Sequence, residues 1–211
     1  DTEVVLLAFI EWGKEFLNKF NGMWAFAIWN EKSEELFLSR DRFGIKPLFY
    51  SFKENKFFLF ASETIAFKNY SPFKRSICNS NLLRSISKPN ELEGFGYTIF
   101  EDIFQILPGH YLELNTRTKK IKQIKWWDSL KKNLNIPDNY KEQVSHFREL
   151  FEDSCLMRLR SDVKIGTALS GGVDSSSVYC MINHLNNVGK ISNDLISNNS
   201  WKNAFVATFP G

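Results

Sequence analysis

Four short apolar segments, "MWAFAIWN", "ELFLSR", "PLFYSF" and "FFLFASE", lie between Met23 and Glu63. They are joined only by the turns "NEKS", "DRFGIK" and "KENK". Parallel neighbours need a crossover of a dozen residues or more, so strands joined this tightly must pair antiparallel. "MWAFAIW" has no polar alternation, which predicts a strand covered on both faces. Upstream, Val5, Ala8, Phe9, Trp12, Phe16 and Phe20 recur at three- and four-residue spacing. That pattern predicts one amphipathic helix over about residues 2 to 19, stopped at Asn21-Gly22. A helix on a covered antiparallel sheet is a layered α+β arrangement. With 20 Phe and 6 Trp in 211 residues, a sizeable core can be buried.

Residues 68 to 100 are less regular and include the loop-like "ISKPNELEGFG". "ILPGHYLEL", Ile106 to Leu114, predicts a turn and then a strand. Residues 115 to 140 are polar, Lys-rich and Asn-rich, so the domain boundary falls there and the Lys run is expected as a solvated connector. The expected division is a first domain over 1–125, a linker over 126–140 and a second domain over 141–211. In the second domain Val144, Phe147, Phe151 and Cys155 keep helical spacing. "VKIGTAL" then predicts a strand, followed by a helix to about Leu185. "NNVGKISNDLISNNSWKN" predicts a polar loop, and "AFVATF" a second strand. Strand, helix, strand in that order implies a parallel sheet, the start of a doubly wound α/β domain.

A net charge of +3, with 24% charged residues and no basic stripe, argues against nucleic-acid binding. No apolar run is long enough to span a bilayer, and no signal-peptide pattern is present. Cys78, Cys155 and Cys180 have no metal-ligand spacing and predict free thiols in a reducing cytoplasm. Cys155 and Cys180 are expected at core or near-core helix positions. The chain starts at Asp1 without Met and ends mid-pattern at Gly211, so a fragment cut at both ends is expected.

The chemistry concentrates in "TALSGGVDSSSVYCMI", Thr167 to Ile182. Ser170-Gly171-Gly172 stands where a strand ends and a helix begins. Backbone N–H groups there lack helical partners, and the helix dipole adds positive character. Glycines admit a close ligand, serines add hydroxyl donors, and Asp174, Ser175 or Ser176 can cap the helix. The combination is an anion cradle suited to phosphate or pyrophosphate. Asp174 repels phosphate unless Mg²⁺ lies between them. The loop matches neither G-x-x-x-x-G-K-[ST] nor G-x-G-x-x-G.

"SGGVDSSS" resembles the pyrophosphate loop of the ATP pyrophosphatases, which split ATP into AMP and pyrophosphate. The remainder resembles glutamine-hydrolysing asparagine synthetases. D-x-E-V opens a helix, G-M-W-A-F-A-I forms a strand, and R-D-x-x-G-x-x-P-L follows, with "ASETIAF", "FEDIFQILPGHYLEL" and "RSDVKIGTALSGGVDSS" in family order. The resemblance implies part of an αββα N-terminal-nucleophile glutaminase domain, followed by the start of an ATP-pyrophosphatase domain. It also implies ATP and Mg²⁺ as cofactors, and glutamine, aspartate and ATP as substrates. Ammonia from glutamine would reach an aspartyl-AMP intermediate through a tunnel, giving asparagine. Ser170, Gly171, Gly172, Asp174, Ser175 and Ser176 take the pyrophosphate-loop roles, with Asp174 the Mg²⁺ ligand. Ala168 and Leu169 end the strand beneath the nucleotide, and Val206 and Ala207 line the adenine pocket. Asp1 holds the α-amino group of glutamine. Arg40, Asp41, Gly44 and Pro47 are expected as scaffold, with Arg40 and Asp41 as an ion pair. His110 and His146 fit turn and helix-flank positions better than a general base. The family often forms dimers, so a homodimer is compatible with the resemblance.

The family's cysteine nucleophile is not among these residues, and the oxyanion and glutamine-carboxylate sites are expected upstream of Asp1. This polypeptide alone is therefore expected to be inactive. Three alternatives stand beside asparagine synthesis. One is a paralogous amidotransferase acting on another carboxylate, such as a polysaccharide sugar acid or a β-lactam precursor. The others are a tRNA-modifying ATP pyrophosphatase and a non-catalytic remnant.

Overall fold

The computed structural model describes residues 1–131, 135–161, 163–191 and 202–208. It divides into two compact units, Asp1–Lys132 and Asn133–Gly211.

In the first unit, α1 (Thr2–Trp12) ends at Gly13, a 3₁₀ turn covers Gly13–Glu15, and α2 (Phe16–Lys19) continues the apolar face. The single helix expected over residues 2 to 19 is thus broken at Gly13, where φ is +54°. Strands β1 (Ala25–Asn30), β2 (Glu35–Arg40), β3 (Phe49–Lys53) and β4 (Phe57–Ala61) follow. Both β1–β2 and β3–β4 pair antiparallel, as their short turns require. Two short helices, α3 (Asn79–Ser87) and α4 (Pro89–Phe95), occupy the stretch that sequence leaves irregular. Then come β5 (Phe104–Gln105), β6 (His110–Asn115) and β7 (Lys120–Lys125).

The strands form two sheets, ordered β1-β2-β6-β7 and β4-β3-β5. Successive side chains on a strand point to opposite faces, and the core follows that period. Phe26, Ile28, Phe37 and Tyr111 meet Ala8, Phe16 and Leu17 of the helices. From the same sheet Leu36, Leu38, Leu112 and Leu114 face the other way, joining Tyr50 and Phe58 of the second sheet. Phe49, Phe57 and Leu59 cover the outer face of that sheet with Phe67 of the 3₁₀ helix Thr64–Asn69, Phe73 and Ile103. Helix, sheet, sheet, helical cover is the αββα layering expected from sequence.

Three further expectations fail. β2 and β3, though joined by the short turn "DRFGIK", do not pair and lie in different sheets. β1 is an edge strand with one covered face: Trp29 is 50% exposed, and Ala27 is exposed. The Lys run is no connector, because "KIKQIK" is strand β7, paired with β6 from Lys120 to Lys125. Trp126 stacks on Trp24 at 5.7 Å between ring centroids, so the packed first unit extends past residue 125.

In the second unit, α5 (Tyr140–Arg158) is capped by Asn139, whose side chain accepts from the Lys141 N–H at 2.8 Å. Strand β8 (Ile165–Leu169), helix α6 (Val173–Asn187) and strand β9 (Lys202–Val206) follow. β8 and β9 pair parallel, from Ile165–Lys202 to Leu169–Val206. Cys155, Leu159, Ile182 and Leu185 are buried where α5 meets α6. Most of the polar loop foreseen between α6 and β9, residues 192–201, lies outside the described residues.

Candidate functional site

β8 leads straight into Ser170, and α6 begins at Val173, so the Ser-Gly-Gly turn occupies the carboxyl end of a parallel strand. Open α/β sheets bind their ligands at that edge. Gly171 sits at φ +79° with nothing within 4 Å of where a Cβ would be. Only glycine holds that conformation without strain, and the space beside it is open. Helical bonding begins with the Ser176 N–H to the Gly172 carbonyl at 3.2 Å. The N–H groups of Val173, Asp174 and Ser175 precede that bond and have no helical partner.

The helix cap differs from expectation. Gly172 is the capping residue and has no side chain to accept the first N–H groups, so Asp174, Ser175 and Ser176 do not cap. The Ser175 hydroxyl turns back instead. It accepts from the Ser170 N–H at 3.3 Å, lies 3.2 Å from the Ser170 hydroxyl and donates to the Gly172 carbonyl at 3.2 Å. This ring of bonds holds the turn and leaves its outward N–H groups available. Asp174 is exposed in the first helical turn. Leu169 pairs with Val206, and beyond them the chain passes to Ser170 on one strand and Ala207 on the other. The structure therefore brings Ala168 to Ser176, Val206 and Ala207 to one sheet edge. Among the described residues no three His, Cys, Asp or Glu side chains gather as a metal site. Asp174 alone suits Mg²⁺ only where phosphate oxygens and water complete the shell, which is how Mg²⁺ is usually held.

Asp1 lies in the first unit. It lines a cavity of about 560 Å³ along the open face of β1. Thr2, Val5, Leu6, the run Met23–Trp29, Lys46, Pro47 and Ser62 also line it. Among the described residues, its charged lining residues are Asp1 and Lys46.

The loop that carries Lys46 and Pro47 is built by Arg40 and Asp41, both nearly inaccessible at 6% and 1%. Among the described residues they form no ion pair, contrary to expectation; each binds backbone. Asp41 accepts from the N–H groups of Trp24, Phe43, Ile45 and Lys46. Arg40 donates to the carbonyls of Gly44, Lys46 and Ile106. A buried charge is tolerated when hydrogen bonds replace its water, and both charges are served that way. At Gly44 (φ +67°) a Cβ would lie 2.8 Å from the Arg40 Cζ, so the loop closes on the guanidinium without room to spare. Arg42 lies over Trp127, with its guanidinium 4.4 Å from the ring centroid.

His110 places Nδ1 2.7 Å from the Pro108 carbonyl, a turn contact, and burial pushes its pKa down. His146 lines a cavity beside α5 with Ile136, Phe147 and Leu150, away from the Ser-Gly-Gly turn. Cys78, Cys155 and Cys180 are free thiols. Cys155 is buried, which raises its pKa, but Cys180 is exposed, contrary to its expected core position. Sequence reasoning did not single out Lys46, which lines the Asp1 cavity. Its signal was present in the R-D-x-x-G-x-x-P-L run, where a lysine precedes the proline.

A glutamine amidotransferase domain model matches residues 1–127. The chain belongs to the glutamine amidotransferase domain family. An asparagine synthase model matches residues 146–210. Asparagine synthetase [glutamine-hydrolyzing] 3 of Bacillus subtilis is 36% identical over 90% of this chain and 30% of its own length. Amidase chry2 of Gibberella zeae is 32% identical over 92% of this chain and 28% of its own. Among solved structures, B. subtilis glutamine PRPP amidotransferase complexed with ADP and GMP aligns over 85% of this chain and 34% of that one. Its TM-score is 0.36 and its identity 18%. The chain spans about a third of the length of the curated relatives it matches. Among the described residues no helix is long and apolar enough to cross a membrane.

Proposed function

We propose that this chain is part of a glutamine-dependent amidotransferase of the asparagine synthetase kind, one unit handling glutamine and the other ATP. The observation that carries the reading is the Ser-Gly-Gly turn at the carboxyl end of parallel β8, in the same chain as a glutamine amidotransferase unit. In this reading Asp1 pairs with the α-ammonium of glutamine, a charge-assisted contact that selects an amino acid. The N–H groups of Gly172 to Ser175 and the hydroxyls of Ser170, Ser175 and Ser176 hold the pyrophosphate of ATP. Ala168, Leu169, Val206 and Ala207 border the nucleotide base. Asp174 would hold Mg²⁺, which would supply charge to offset that of the phosphates.

A carboxylate is a poor acyl donor, and AMP makes a better leaving group. The aspartate side chain attacks the α-phosphorus and expels pyrophosphate. Ammonia then displaces AMP from the mixed anhydride, leaving asparagine. Donors that bind ATP equally at every stage would not speed this step. The turn must favour the charge that accumulates on pyrophosphate as the bond breaks.

The amidase relatives support a second reading, the same transfer onto a different carboxylate. AMP release from ATP by the full-length protein that contains this segment, given glutamine and a panel of carboxylates, separates the two. AMP formation dependent on aspartate carries the first, and dependence on another acid carries the second. No AMP with any acid removes both.

A further inference from the structure

We propose that the cavity of about 470 Å³ beside the β3–β4 turn binds a small phosphate monoester that carries an aromatic ring. Among the described residues, its charged lining residues are Lys53, Lys56, Lys74 and Asp102. None of the three lysines joins an ion pair among the described residues. Three ammoniums against one carboxylate leave a surplus of two positive charges. Like charges gathered at one cavity repel, and a bound anion removes that repulsion. A phosphate monoester carries about 1.5 to 2 negative charges at pH 7, so one group answers the surplus. Lysine suits the task as a compact cation that meets phosphate oxygens without a fixed bidentate geometry.

The fold sets these charges in place through one patch of core. Phe57, Phe73 and Ile103 belong to the same core cluster. Lys56, Lys74 and Asp102 are their immediate neighbours in the chain. Lys53 stands directly across the hairpin from Phe57. The Lys56 N–H donates to the Lys53 carbonyl at 3.0 Å, and the Phe73 N–H to the Tyr70 carbonyl at 2.9 Å, so both turns are closed. Three separate stretches of chain therefore reach one cavity with their backbones already fixed, which leaves little ordering cost for binding. The aromatic part of the ligand follows from the walls. Phe57 meets Tyr70 and Phe73 nearly edge-on, with centroids 5.6 and 5.9 Å away, and all three residues line the cavity. Such rings offer stacked or edge contacts to another ring, and a volume of this size takes a small molecule rather than a lone ion.

The test is a titration of the chain with phenyl phosphate, inorganic phosphate and phenol, followed through the backbone amides of residues 53–57, 70–74 and 102. Reading those amides separates this cavity from any anion held at the Ser-Gly-Gly turn. Phenyl phosphate should shift them to saturation and bind about tenfold more tightly than inorganic phosphate or phenol. Lys74→Gln should weaken phenyl phosphate about tenfold, the scale of one charge-assisted hydrogen bond. It should leave phenol binding and the melting temperature unchanged, because Lys74 is exposed. Lys53→Gln, also at an exposed position, should do the same. Lys74→Arg should keep most of the affinity. No saturating shift at those amides with millimolar phenyl phosphate overturns the proposal. So does an unchanged phenyl phosphate affinity in both glutamine variants. Equal affinity for phenol would make the cavity an apolar pocket, and equal affinity for inorganic phosphate a plain anion site; either result overturns the ligand proposed.

Discussion

At the scale of single residues, two glycines in one turn do different work. Gly171 needs its left-handed backbone, which costs another residue roughly 1–2 kcal/mol. Gly172 has ordinary angles, and the nearest atom to its imagined Cβ is the Ser170 Oγ at 3.5 Å. Gly171→Val should therefore lower the melting temperature of the second unit and weaken pyrophosphate binding by about tenfold. Gly172→Ala should leave that melting temperature within error. Equal stability losses in the two variants, read by thermal unfolding, would show that the turn is not built as described. His110 makes a second residue-scale prediction. Desolvation holds its pKa below the ordinary 6.5, against the raising effect of the Pro108 carbonyl. As pH falls through about 6.5, the unfolded chain takes up this proton before the folded one does. The stability present above that pH is then lost as pH drops toward the folded value. His110→Gln should flatten the slope of stability against pH below 6.5. Identical slopes in the two proteins would contradict the assignment.

At the scale of elements, the sheets show what the sequence makes legible. The hairpins β1–β2 and β3–β4 are readable because their short turns allow only antiparallel pairing, whereas the equally short "DRFGIK" turn carries the chain from one sheet to the other. β7 is not readable, because its two isoleucines are three residues apart and serve different layers. Ile121 packs between the sheets and Ile124 beneath the helices, so no two-residue period appears. Its lysines look like a linker, yet they are what an edge strand carries to discourage further pairing. β1 errs in the opposite direction: an unbroken apolar run suggests burial on both faces, and one of those faces instead lines the cleft that holds Asp1. The helix break at Gly13 escapes notice because α2 resumes the same apolar face. That face is anchored by Phe16, which is fully buried and meets Phe9 and Phe20 edge-on at 5.8 and 5.1 Å. Phe16→Ala should cost about 3–5 kcal/mol in the denaturant unfolding of the first unit. A loss under about 1 kcal/mol would mean that α2 is not part of its core.

At the scale of the whole molecule, two units of different build share one chain. The first, an αββα sandwich, carries Asp1 and the clamped Lys46 at one cleft. The second offers a parallel strand, an open glycine turn and a row of unpartnered helical N–H groups. The loop motif was visible in sequence because its residue types and order are unusual. Its internal bonding was not, since Ser175 could equally have capped the helix or, as found, braced the turn. The arrangement of Arg40 and Asp41 was equally hidden: adjacent opposite charges suggest a pair, and only the fold shows each spent on backbone groups tens of residues away in places, as at Ile106. The central claim is that the Ser-Gly-Gly turn holds the pyrophosphate of a nucleotide. The most direct measurement is a titration of the chain with MgATP and with pyrophosphate, followed through the backbone amide resonances. Shifts confined to residues 168–176 and 206–207, saturating with ATP and lost in Gly171→Val, are the predicted result. Saturating shifts elsewhere, or none at millimolar ATP, would contradict it.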